Sequence, residues 1–224
     1  MNTATIAVNG SASGDFPPDY AVVHVNHQLT MPARSEALAE GNAVISRLRD
    51  LAATADAGVR EVKVRSLRAS EMFNYVSPER PREPFGWSVQ VISEIEVVPT
   101  HASTLVAALI KLGISVQYVT WHLDHASEVA AFRAVRRRAV AEAAVAAEDF
   151  ADALGGALGV LLTLSDPGLL DGDFEVRGGQ VPMGSARRMS ASATSGEWND
   201  DVDIDPDDIT VSANVQARYE VVLA

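Results

Sequence analysis

The chain has 224 residues, 47% of them hydrophobic, no cysteine and a formal charge of −12; it can bury one full core or two small ones, and it must do so by packing alone. The absence of cysteine excludes disulfides, a thiol nucleophile and a thiolate metal site, while the negative charge argues against a nucleic-acid backbone or an anionic membrane as partner, because both are bound through clustered Lys and Arg. No basic segment followed by an apolar run opens the chain, and no apolar stretch approaches the roughly 18 residues of a membrane helix, so the expectation is a cytoplasmic protein without membrane insertion.

In chain order, Thr5 to Val8 reads as a short strand, Gly10 to Gly14 as a small-residue turn, and Ala21, Val23, Val25, His27 and Leu29 as the buried face of a second strand whose other face carries His24, Asn26 and Gln28. A helix is expected from Thr30 and Pro32, with Ala37, Val44, Ile45, Leu48 and Leu51 on one stripe, ending at Asp56-Ala57-Gly58. A short strand through Val62, Val64 and Leu67 follows, then a proline-bearing loop from Asn74 to Pro84 and a strand through Trp87, Val89, Val91, Ile95 and Val97. Thr100 is placed as the cap of a helix from His101 to Leu112, and Val116 to Leu123 as a strand.

A long Ala-rich helix reaches about Leu154, with Phe132, Val135, Ala139, Ala143, Ala147, Phe150 and Leu154 at helical spacing; Gly155-Gly156 ends it. Leu158 to Leu164 reads as a buried strand. Residues 166–208 have no sustained period and read as a long loop or disordered insertion, after which the alternation from Ile209 to Leu223 is unbroken. Strand, helix, strand, strand, helix, strand from Asp19 to Leu123 is the order of a ferredoxin-like split βαβ layer. The fold class is therefore α+β, with the long helix and further strands added and the N- and C-terminal segments paired. The expected organisation is one domain over 1–224, or two joined subdomains.

The opening "IAVNGSASGDFPPDYAVVHV", the helix "SEALAEGNAVISRL", the Ala-rich helix with its Leu-Gly-Gly break and the alternating last strand resemble, in that order, the SIMPL-domain family. The recurring pieces are Val8, Gly10 and Gly14, then Pro18-Asp19. The resemblance implies an α+β fold, self-association in some members, and frequent export to the bacterial envelope or periplasm. The family is one of unknown function.

Candidate chemistry is sparse. "GSASG", residues 10–14, lacks the central Ser of a nucleophile elbow and leads into a strand. His24 and His27, like His122 and His125, are spaced i, i+3, which puts the two members of a pair on opposite faces of a strand; they read as ordinary histidines before metal ligands. Asp203, Asp205 and Asp207 imitate a calcium loop, but Asp208 replaces its glycine and Asn214 its bidentate Glu, so a solvated acidic loop is the simpler reading. Arg133 to Arg138 reads as a polar helix face, Trp87 and Trp121 as sheet aromatics, and Trp198, in an acidic loop, as local packing onto its own domain before a partner or self-contact. No catalytic, cofactor or metal residue is assigned. The expectation is a non-enzymatic homo-oligomer, which contacts itself through the Ala-rich helix, strand edges or acidic loop; the alternative is a small-molecule or peptide binding module with the long loops as lids.

Overall fold

A computed structural model describes residues 2–54, 58–74, 83–167, 169 and 202–223. Their contacts divide into two compact units, one holding residues 2–17, 123–167, 169 and 208–223, the other 18–54, 58–74, 83–122 and 202–207. Both are sheets with helices, so the chain is α+β.

The first unit is a three-stranded antiparallel sheet under one helix. β1 (Asn2–Phe16) and β7 (Ile209–Leu223) pair over their whole length, and β6 (Gly156–Ser165) flanks β7, giving the order β1-β7-β6. The chain termini thus pair, as the sequence predicts. The opening stretch differs from expectation, because it is one continuous strand through Gly10 to Gly14 and neither glycine has positive φ. In β1, Ile6, Val8, Gly10, Ala12 and Gly14 alternate with exposed Thr5, Ala7, Asn9, Ser11 and Ser13. The small residues are needed because α3 (His125–Ala153) comes close: a Cβ on Gly10 would overlap the carbonyl of Ala139 and lie 2.7 Å from the backbone nitrogen of Ala143.

α3 is about 43 Å long and β1 about 50 Å, so the one helix can cover the sheet. Its buried residues are Ala131, Val135, Ala139, Ala143, Ala147 and Ala151, one every four. Each such step turns about 40° past a full turn, so the stripe winds round the helix along with the twist of the strands. Phe150 and Leu154, expected on this stripe, are instead more than half exposed, because the buried stripe runs on through Ala147 and Ala151 and leaves them to its side.

The second unit has the predicted ferredoxin-like order. β2 (Tyr20–Met31), α1 (Arg34–Ala52), β3 (Val59–Asn74), β4 (Glu83–Val97), α2 (Ala102–Lys111) and β5 (Val116–His122) build an antiparallel sheet ordered β3-β4-β2-β5. β2 runs on to Met31, so α1 begins later than Thr30; β3 is longer than its apolar core implies and pairs with β4 to Asn74. Pro99–His101 forms a 3₁₀ turn before α2, and Thr100 does not cap that helix. The expected loop between β3 and β4 falls mostly on 75–82, and the long insertion mostly on 168 and 170–201, outside the described residues.

One face of this sheet packs Ala21, Val23, Val25, Val89, Val91, Ile95 and Val97 against Ala37, Gly41, Val44 and Leu48 of α1 and Leu105, Val106 and Leu109 of α2. Gly41 lets α1 approach, since a Cβ there would meet Val89 at 2.9 Å and overlap Leu67. Val59 and Gly58 follow the first helix, and Gly58 takes a φ of 59° beside the His101 ring.

Candidate functional site

The other face of the four-stranded sheet gathers a group of polar and aromatic side chains. Strand register dictates its membership. Tyr20, Val22 and His24 of β2 stand opposite His122, Thr120 and Tyr118 of β5, while on their other side Val22 and His24 stand opposite Glu96 and Glu94 of β4. Lys63 of β3 lies opposite Glu94. Alternation sends these residues away from the helices.

The rings pair across the strands: His24 stacks on Tyr118 with centroids 4.3 Å apart, and Tyr20 on His122 at 5.3 Å. Between the two pairs Thr120 Oγ1 lies 3.1 Å from His24 Nε2 and 2.8 Å from His122 Nε2. A hydroxyl carries one proton, so where Thr120 donates to one neutral ring it accepts from the other. Burial lowers the pKa of His122 below its ordinary 6.5, with Glu96 and Glu94 acting in the opposite sense, which keeps the ring neutral at pH 7.

Ion pairs fix the next row. Lys63 Nζ lies 2.6 Å from Glu96 and 2.9 Å from Glu61, and Arg65 lies 2.6 Å from Glu94. The hydrogen bonds that Lys63 donates to Glu96 and Glu61 raise the pKa of its ammonium, and the bond that Arg65 donates holds the Glu94 carboxyl below its ordinary range. Arg60 covers the Tyr20 ring at 5.4 Å and donates to the Asp19 carbonyl at 2.8 Å. Glu61, Glu94 and Glu96 thus balance Arg60, Lys63 and Arg65. Lys63, Arg65, Glu94 and Glu96, with the two ring pairs, surround a shallow depression of about 370 Å³ floored by Val22 and Thr120, both buried.

The histidines singled out in the sequence therefore sort differently from their motifs. His27 points to the helices, is 6% exposed, and accepts a hydrogen bond from the Ser115 N–H at Nδ1, 3.2 Å away. Burial and then Arg47 lower its pKa, against Glu40. His24 joins His122, not His27, and His125 begins α3 in the other unit. Neither i, i+3 pair acts together. Among the described residues no group of three or more His, Asp or Glu is arranged to hold a metal ion.

Asp203, Asp205 and Asp207 lie in an irregular segment pinned by Ser103, whose hydroxyl donates to the Ile204 carbonyl at 3.3 Å and accepts from the Ile204 N–H at 3.0 Å; Asn214 lies in β7. Arg133, Arg136 and Arg137 share the outer face of α3 with Val140, and Arg136 reaches Asp166 at 3.6 Å. Trp121 is buried, Trp87 carries Arg34 at 5.7 Å over its ring, and Trp198 is outside the described residues.

A second feature lies at the edge of the first unit. β6, expected to be buried, exposes Val160 by 62%, Leu161 by 46%, Leu162 by 50% and Leu164 by 44%. It is the outermost strand and carries two register breaks against β7, between Leu158 and Leu161 and between Leu161 and Thr163. The helix α3 lies chiefly over β1 and β7 and touches β6 least, so β6 is the strand of this sheet with the least cover. The Ala stripe of α3, expected as a contact surface, is consumed inside the unit.

In comparisons with known proteins, the family model SIMPL, described as a protein of unknown function (DUF541), matches residues 6–219. No curated protein matches the chain. Among the described residues, no helix is long and apolar enough to cross a membrane.

Proposed function

The chain belongs to the SIMPL family, whose function is unknown, and from its edge strand we propose that it is a non-enzymatic protein that associates with further copies of itself through β6. The observation that carries this reading is the run Val160-Leu161-Leu162 with Leu164, four apolar side chains exposed on one outer strand. Isolated apolar residues on a surface are ordinary, but a contiguous group marks a contact. Fully burying an exposed Val or Leu side chain contributes roughly 1.5–3 kcal/mol, so covering these four, each about half exposed, supplies on the order of half that apiece towards a modest association energy.

A second copy of this chain is the partner that fits. The opposite edge of the same sheet, β1, pairs with β7 through 15 residues without a register break and carries charge only at Asp15. Such a long, regular edge has backbone groups ready for another strand. Each molecule therefore offers an apolar edge and an unblunted one, and edge-to-edge addition between copies covers both. Mass in solution, compared between the native chain and a variant charged at β6, tests the reading.

A further inference from the structure

The open face of the four-stranded sheet meets the requirements of a ligand site independent of β6, and we infer that it binds a neutral saccharide. Three properties select this chemistry. First, the acids and bases of the face balance: Glu96 is held by Lys63, Glu94 by Arg65, and Arg60 lies over Tyr20. A charged ligand would have to break these pairs, and an anion would also meet the −12 charge of the chain. A neutral ligand keeps them.

Second, the Arg65–Glu94 pair is planar, held in place, and joined by one hydrogen bond. An Arg has five N–H donors and a carboxylate about four acceptor positions, so a pair joined by one bond still offers both kinds of partner side by side. Adjacent hydroxyls of a pyranose, each donor and acceptor, match such an array. The carboxylates of Glu94 and Glu96 project from alternate positions of β4 on the same face, about 7 Å apart along the strand, a spacing one sugar ring spans. Third, the depression is too shallow to bury an apolar drug-sized molecule, yet its floor at Val22 is apolar and its ends are the Tyr20–His122 and His24–Tyr118 ring pairs. The C–H face of a sugar covers such a floor while its hydroxyls meet the rim. Thr120 holds both histidines in place and so preorganises the two ends.

The test is titration of the full chain with methyl pyranosides and neutral disaccharides, followed by amide NMR shifts, with glucuronate and a tripeptide as competitors. The variants are Glu96→Gln, an isosteric change at a partly buried position of the rim, and Tyr118→Ala, each checked for an unchanged fold by circular dichroism. The expected result is saturable millimolar binding of at least one neutral saccharide, with shifts centred on β2, β4 and β5, weakened about tenfold by each variant that keeps its fold. Absence of saturable binding by every saccharide, tighter binding of glucuronate or the tripeptide, or affinity unchanged in Glu96→Gln would overturn the proposal. Because the site and β6 share no residue, loss of self-association without loss of saccharide binding would leave this inference standing.

Discussion

Gly10 of β1 lies directly under the backbone of Ala139 in α3, so closely that the helix leaves no room for even one methyl group. That contact fixes how the N-terminal strand, the C-terminal strand and the Ala-rich helix form one core. Gly10→Ala is expected to lower stability by about 1–3 kcal/mol, because the obstruction is backbone and must move as a unit. Gly14→Ala is the control: the nearest atoms its Cβ would meet are the Phe16 ring at 3.3 Å and the Arg138 guanidinium at 3.4 Å, side-chain ends that can shift. Urea unfolding of both variants measures the difference, with Gly14→Ala the closer to native.

Ser93 makes the opposite prediction. It is fully buried on the helix side of β4, and its hydroxyl has no hydrogen-bond partner. Removing an unsatisfied buried group relieves its desolvation cost, so Ser93→Ala is expected to stabilise the protein by about 1 kcal/mol, seen as a higher urea midpoint at unchanged slope.

The histidines set an acid limit. His27 and His122 both have pKa values lowered from 6.5 by burial, so below pH 6.5 the unfolded chain takes up protons that the folded chain refuses. The stability they allow is complete above that value and is lost as pH falls towards their folded values. Glu94, lowered from 4.5 by Arg65, adds a loss only at more acidic pH, as its unfolded form begins to bind protons. Unfolding measured from pH 7.5 down to about 5 should therefore show declining stability, and His27→Gln, which keeps an acceptor for Ser115, should flatten the decline.

Much of this architecture was legible in the sequence because alternation and helix punctuation are local. β7, the ferredoxin-like order and the pairing of the termini follow from such patterns. In the sequence Gly10 and Gly14 look like a turn, because a strand packed against helix backbone needs the same small residues that a turn does. The sequence points Phe150, Leu154 and the apolar run of β6 inward because hydrophobicity records a need for cover without saying what supplies it. The sheet-face site was half visible: the spacing correctly separated His24 from His27, but the link from His24 through Thr120 to His122 depends on the β2–β5 register, which no local pattern contains.

The proposed self-association rests on β6, and light scattering of the native chain beside Val160→Lys/Leu162→Lys, at two concentrations, tests it most directly. Both side chains are at least half exposed, so the double variant should keep the native circular dichroism. The account predicts a defined oligomer for the native chain and a particle near 23.8 kDa for the variant. A native chain that stays at 23.8 kDa at both concentrations, or an oligomer that the two lysines leave intact, would contradict it.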